Sequence, residues 1–157
     1  MILTVHAAAG VLIGSFINQS PIAFLVGFVS HSFLDMLPHD DSDIHSKGHT
    51  VKSLKKLYFN KIIGLIYLDV CLAIIVAAAL FTNNAHFITR PIIWGIIGSI
   101  LPDVLQALSF LQPKNRVLKK FNGFHSLIHY SPKNPISLVM GHTIQIVTLI
   151  ILINPLI

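Results

Sequence analysis

Apolar and small residues run in blocks along the chain, and the polar stretches between them set the first expectation. Residues 2–17, 21–37, 62–81, 91–111 and 136–153 form the blocks, and each is almost free of charge. A helix that crosses a bilayer needs about 20 mostly apolar residues, with a range of about 17–25. The pattern therefore predicts an all-α fold, an integral membrane helical bundle of about five transmembrane helices. Residues 1–157 are expected to form one membrane-embedded domain. The first two blocks are short and meet at the turn "NQSP", so a re-entrant hairpin is the alternative for that pair. "VKSLKKLYFNK" reads instead as a short basic amphipathic helix lying on the membrane surface.

Composition strengthens this picture. The chain is 54% hydrophobic and 11% charged, against about 25% charged in soluble domains. It has no glutamate, so all six acids are aspartates. That is too little polar surface to cover the core of a soluble domain of this size. The single cysteine, Cys71, excludes an internal disulfide, and its apolar run predicts a small buried hydrophobe. "MILTVHAAAGVLIGSF" has no basic residue ahead of its apolar part, which predicts a retained first helix rather than a cleaved signal.

The net charge of +5 is placed asymmetrically. Lys47, Lys52, Lys55, Lys56 and Lys61 lie between the second and third blocks. Lys114, Arg116, Lys119, Lys120 and Lys133 lie between the fourth and fifth. The turn after the first block has no basic residue, and residues 82–90 have only Arg90. With five spans both basic loops fall on one side, which puts the N-terminus in the cytoplasm and the C-terminus outside. The charge then faces anionic membrane lipid, and no nucleic acid partner is expected. Trp94 fits an outer aromatic belt, with Tyr58 and Phe59 on the inner one.

The histidines and aspartates respect that sidedness without having been used to derive it. "HSFLDMLPHDDSDIH", residues 31–45, packs three histidines and four aspartates directly after the apolar "PIAFLVGFVS". His6, His31, Asp35, His39, Asp103, His125, His129 and His142 all fall toward the cytoplasmic face, and His86 toward the other. An ionised, lipid-facing residue at a helix centre costs at least about 2.5–3.5 kcal/mol, so such groups turn to a polar interior and are functional candidates. His31 and Asp35 are i and i+4, on one helix face, and can reach one cation together. His125 and His129 repeat that spacing if "FHSLIHY" is helical. Pro38 ends the second span and turns His39 back toward the same mouth. Pro102 bends the fourth span with Asp103 beside the bend.

Together these eight residues form the expected metal ligand set. Asp69 is a further candidate, either as a ligand or as a histidine's partner. The competing reading is a hydrogen-bonded polar core that fixes helix packing. Histidine and aspartate without thiolate suit zinc, with manganese or iron as alternatives. Eight ligands exceed the four of one zinc, so one or two ions are expected.

"VHAAAG", "GFVSHSFLDMLPHDD", "ILPDVLQ" and "GFHSLIHY" resemble, in order, the YdjM-like family of membrane-bound metal-dependent hydrolases. That family has itself been compared with zinc-dependent phospholipase C. The resemblance covers most of the chain, with the loops unmatched, and implicates His6, His31, Asp35, Asp103 and His125. Two departures stand out. The family's LPDxDH stretch is followed here by Val104, Leu105 and Gln106, and the first histidine of its HRGxTHS stretch falls on Lys120.

The resulting expectation is a divalent-metal hydrolase acting on a membrane-proximal, lipid-like ester, a phosphoester first. Such a metal acidifies water at neutral pH, and Asp40 and Asp41 are the candidates for moving the proton. Asp43, like them, can equally be a solvated loop acid or a helix cap. No Ser-His-Asp set or Gly-rich phosphate loop competes. The rivals are a non-enzymatic adaptor whose cluster is structural or stores metal, and a metal or proton transporter. Transport needs polar groups along the whole path, and the outer halves of the blocks have almost none.

Overall fold

The structure, a computed structural model, describes residues 1–39, 68–69, 71–76, 89–128 and 136–156. Among these, all regular structure is helical. α1 is Leu3–Phe16, α2 Ser20–Asp35, α3 Arg90–Leu111, α4 Arg116–Ile128 and α5 Leu138–Ile153, followed by a 3-10 turn at Asn154–Leu156. Residues 68–69 and 71–76 are helical as well.

Local chemistry sets the helix starts. Pro21 and Pro91 stand in the first turns of α2 and α3, where proline's missing N–H costs no hydrogen bond. The Asn115 side chain accepts from the amides of Val117 (3.0 Å) and Leu118 (3.2 Å) and so starts α4. Ser137 accepts from Met140 N at 3.2 Å and starts α5. α1 has no side-chain cap of its own. Its first amides go to a residue far along the chain: Leu3 N donates to Asp69 Oδ2 at 2.5 Å and Thr4 N to Asp69 Oδ1 at 3.0 Å. The Thr4 hydroxyl donates to the Asp69 carboxylate and carbonyl as well. Asp69 therefore acts as a cap supplied by another segment.

Two helical stretches, Arg90–Ser109 and Val139–Leu156, are long and apolar enough to cross a membrane. α1 and α2, at 14 and 16 residues, reach only about 21 and 24 Å at 1.5 Å per residue. The hydrocarbon layer is about 30 Å thick. Of the five expected spans, two reach that length among the described residues, two form a shorter pair, and the third, residues 62–81, lies mostly outside the described residues. The physical reason is local, since the Asn18–Gln19 turn separates the pair and α2 stops at Asp35, ahead of Pro38.

α3 is the central element. α1 and α2 both lie along it, α4 folds back onto it, and α5 packs on α1. The approach is set by glycine. A Cβ at Gly10 would stand 2.5 Å from Ser99 Oγ and 2.6 Å from the Gly95 carbonyl, and one at Gly27 would stand 2.5 Å from that same carbonyl. Small residues at such crossings let helix backbones approach closely. The helix ends carrying His6, His31 and Asp35 are thereby held against the end of α3 that carries Asp103. Cys71, expected to be buried, is exposed.

Candidate metal centre

Four helices bring one side chain or two each to a common point. α1 supplies His6, α2 supplies His31 and Asp35, α3 supplies Asp103 and α4 supplies His125. His6, His31, Asp35 and His125 are buried, and the Asp103 side chain is 27% exposed, at the mouth. The i, i+4 pair behaves as its spacing requires, with His31 Nε2 3.0 Å from Asp35 Oδ2. His125 Nε2 lies 3.0 Å from His31 Nε2 and 3.3 Å from Asp35 Oδ2. Asp103 Oδ1 is 3.6 Å from His31 Nε2. Donor atoms of His31, Asp35, Asp103 and His125 all fall within 4.8 Å of one another. These four residues can hold a metal ion.

The spacing meets a quantitative test. A tetrahedral ion with bonds of about 2.0–2.2 Å sets its ligand atoms roughly 3.3–3.6 Å apart. Four of the six separations, 3.0, 3.0, 3.3 and 3.6 Å, lie within about 0.3 Å of that range, and all six are within 4.8 Å. The outer contact also fits. His31 Nδ1–H donates to the Ser99 carbonyl at 2.8 Å, which leaves the Nε2 lone pair facing the cluster. Metal-binding histidines are typically oriented in this way by a backbone acceptor on their other nitrogen. Ser99 was not apparent as a site residue in the sequence. The available signal was Pro102, which cannot donate to the Gly98 carbonyl one turn back and disturbs the ladder there.

His125 arrives on an element that the hydropathy blocks did not mark. α4, "RVLKKFNGFHSLI", keeps Arg116, Lys119 and Lys120 exposed and buries His125, whose ring stacks on Phe121 at 6.1 Å between centroids. His6 stands beside the four. Its Nε2 is 3.2 Å from Asp35 Oδ1 and 4.0 Å from Asp103 Oδ2, and its ring stacks on His31 at 4.0 Å.

The remaining sequence candidates separate. His39 is buried and joins the cluster indirectly: the Met1 nitrogen donates to His39 Nε2 at 2.9 Å and to Asp35 Oδ1 at 3.0 Å. His39 Nδ1–H donates to the Leu37 carbonyl at 2.7 Å. His142, expected as a ligand, is exposed on α5 and belongs to no metal-competent group among the described residues. Position on α5 accounts for this, because α5 packs on α1 rather than on α3. Asp69, a sequence candidate for the site, is engaged in capping α1. Asp40, Asp41, Asp43 and His129 lie outside the described residues, as do His45, His49 and His86.

A cavity of about 290 Å³, lined by none of the cluster residues, runs between α1, residues 73–76 and α3. Leu3, Ala7, Val11, Ile96 and Ile100 are among its walls, which are almost wholly apolar. No family model, curated protein or solved structure matches the chain.

Proposed function

We propose that the chain is an integral membrane metalloenzyme that hydrolyses a lipid phosphoester, with zinc at His31, Asp35, Asp103 and His125. The observation that carries this reading is the convergence of two imidazole nitrogens and two carboxylates at ligand spacing in a chain with 11% charged residues. A bound divalent ion supplies Lewis acidity toward a phosphoryl oxygen and acidifies water. The chain's own residues do the rest. Ser99 orients His31, the buried histidines keep bulk water from one side of the site, and half-buried Asp103 borders its open side. The apolar cavity between α1 and α3 suits an acyl or prenyl tail.

The membrane assignment is supported by what the helices leave uncovered. Only 17% of the apolar window in Val139–Leu156 is buried, and 33% of that in Arg90–Ser109. A core helix of a soluble protein would bury most of such a surface. Phe16, Leu25, Phe33 and Ile150 are each more than 60% exposed, and lipid is the solvent in which that exposure costs nothing. The basic loops put the N-terminus in the cytoplasm. A reporter fused after Ile157 is expected to work only outside the cytoplasm; cytoplasmic activity would reject this sidedness.

The resemblance to YdjM-like hydrolases supports the same reaction class, and five of its positions, His6, His31, Asp35, Asp103 and His125, are those gathered at the cluster. A second reading, a metal-holding membrane scaffold without turnover, is favoured by one observation. Lys120, where the family pattern has a histidine, is exposed on α4 and contributes nothing to the site. Hydrolysis decides between them. Purified chain with added zinc is expected to cleave at least one member of a panel of lipid phosphomonoesters and phosphodiesters, and a chelator should abolish the activity. Zinc binding without any zinc-dependent cleavage would leave the scaffold.

A further inference from the structure

The two carboxylates divide their oxygens between two faces. Asp35 Oδ2 and Asp103 Oδ1 point toward His31, with His125 also on Asp35 Oδ2. Asp35 Oδ1 and Asp103 Oδ2 lie on the other face, where the Met1 nitrogen sits 3.0 Å from Asp35 Oδ1 and His6 Nε2 is the imidazole nitrogen that meets both carboxylates, at 3.2 and 4.0 Å. His6 and His31 are stacked, their ring centroids 4.0 Å apart and their planes inclined by 25°. Two near-parallel imidazoles thus aim their Nε2 atoms at opposite halves of one carboxylate pair.

His6 is fully buried; its Nδ1 makes no hydrogen bond among the described residues, and its Nε2 faces the two carboxylates. An ordinary core histidine is satisfied by hydrogen bonds, so packing alone does not account for it. We propose a second divalent-cation position held by His6 Nε2, Asp35 Oδ1 and Asp103 Oδ2, with both aspartates bridging the two ions. This inference rests on the metal site proposed above. Three protein donors leave a fourth position open for water or a phosphoryl oxygen. Two dications against two carboxylates also leave the site positive, which suits an anionic phosphoester. The pair would stabilise both the attacking and the leaving oxygen of an in-line displacement.

The test is zinc stoichiometry of the full-length chain in detergent, saturated with zinc chloride and desalted. About two zinc ions per chain are expected in the wild type, falling to about one in His6→Gln. Wild-type protein loaded with manganese should show the electron paramagnetic resonance signature of a spin-coupled pair, a readout independent of how the variant folds. One zinc per wild-type chain with an uncoupled manganese spectrum would overturn the second position and leave the first intact. Two ions retained in His6→Gln would equally overturn it. A wild type that holds no zinc would overturn the underlying metal site itself.

Discussion

Alanine at both His31 and Asp35 is expected to leave the purified chain with no bound divalent metal. The pair supplies two of the four donors, and both come from one face of α2. Asp103 and His125 would remain on separate helices, too few to hold an ion in competition with water. The double change is preferred to either single one on energetic grounds. Removing one partner of a buried charged pair strands the other, at a cost of about 3–5 kcal/mol; removing both strands neither. The fold should survive, because the double change removes the His31–Ser99 hydrogen bond but leaves the close α2–α3 approach at Gly27 and Gly95 in place. Metal analysis alongside helical circular dichroism reads both outcomes. Asp69→Ala is the matched control. Loss of the α1 cap should lower stability by about 0.5–2 kcal/mol without changing metal content, since Asp69 engages Leu3 and Thr4 instead of the site. Full metal content in the double variant would place the ion elsewhere.

Asp103→Asn is expected to lower metal affinity by at least roughly 10–100-fold, the range seen even for changes just outside a metal's ligands, and any hydrolysis with it. The substitution removes a negative charge at nearly constant volume, so packing around the Pro102 turn is preserved. Asp103 is the most exposed member of the group, with its side chain 27% accessible, and its carboxylate borders the open side. His142→Ala, on exposed α5 surface, should change neither quantity. Wild-type hydrolysis in Asp103→Asn would exclude this carboxylate from the reaction.

Different parts of this arrangement were visible in the sequence to different degrees, for physical reasons. The apolar blocks locate α1, α2, α3 and α5 because hydropathy and helical periodicity both act over local windows. Their lengths were less legible: a polar turn at Asn18–Gln19 and the stop at Asp35 trim α1 and α2 below a full crossing. The His31–Asp35 pair was readable since i, i+4 geometry is intrinsic to a helix. Asp103 was readable through its proline neighbour. α4 was not marked by hydropathy, because an amphipathic helix inside a basic loop has no net apolar signal. What delivers His125 is the packing of α4 against α3. The role of Asp69 was likewise hidden, as its partners stand 65 and 66 residues away. His142 shows the converse: a histidine in a matching position along its helix joins no metal-competent group among the described residues, because α5 packs on α1.

X-ray absorption at the metal edge of the purified, zinc-loaded chain tests the central claim most directly. The account predicts a first shell of nitrogen and oxygen only, at about 2.0–2.2 Å, with the outer-shell scattering of imidazole rings. Both the ring scattering and the bound metal should be lost in the His31/Asp35 double variant. A sulfur shell from Cys71, or a spectrum of loosely held hydrated zinc unchanged by that variant, would contradict it.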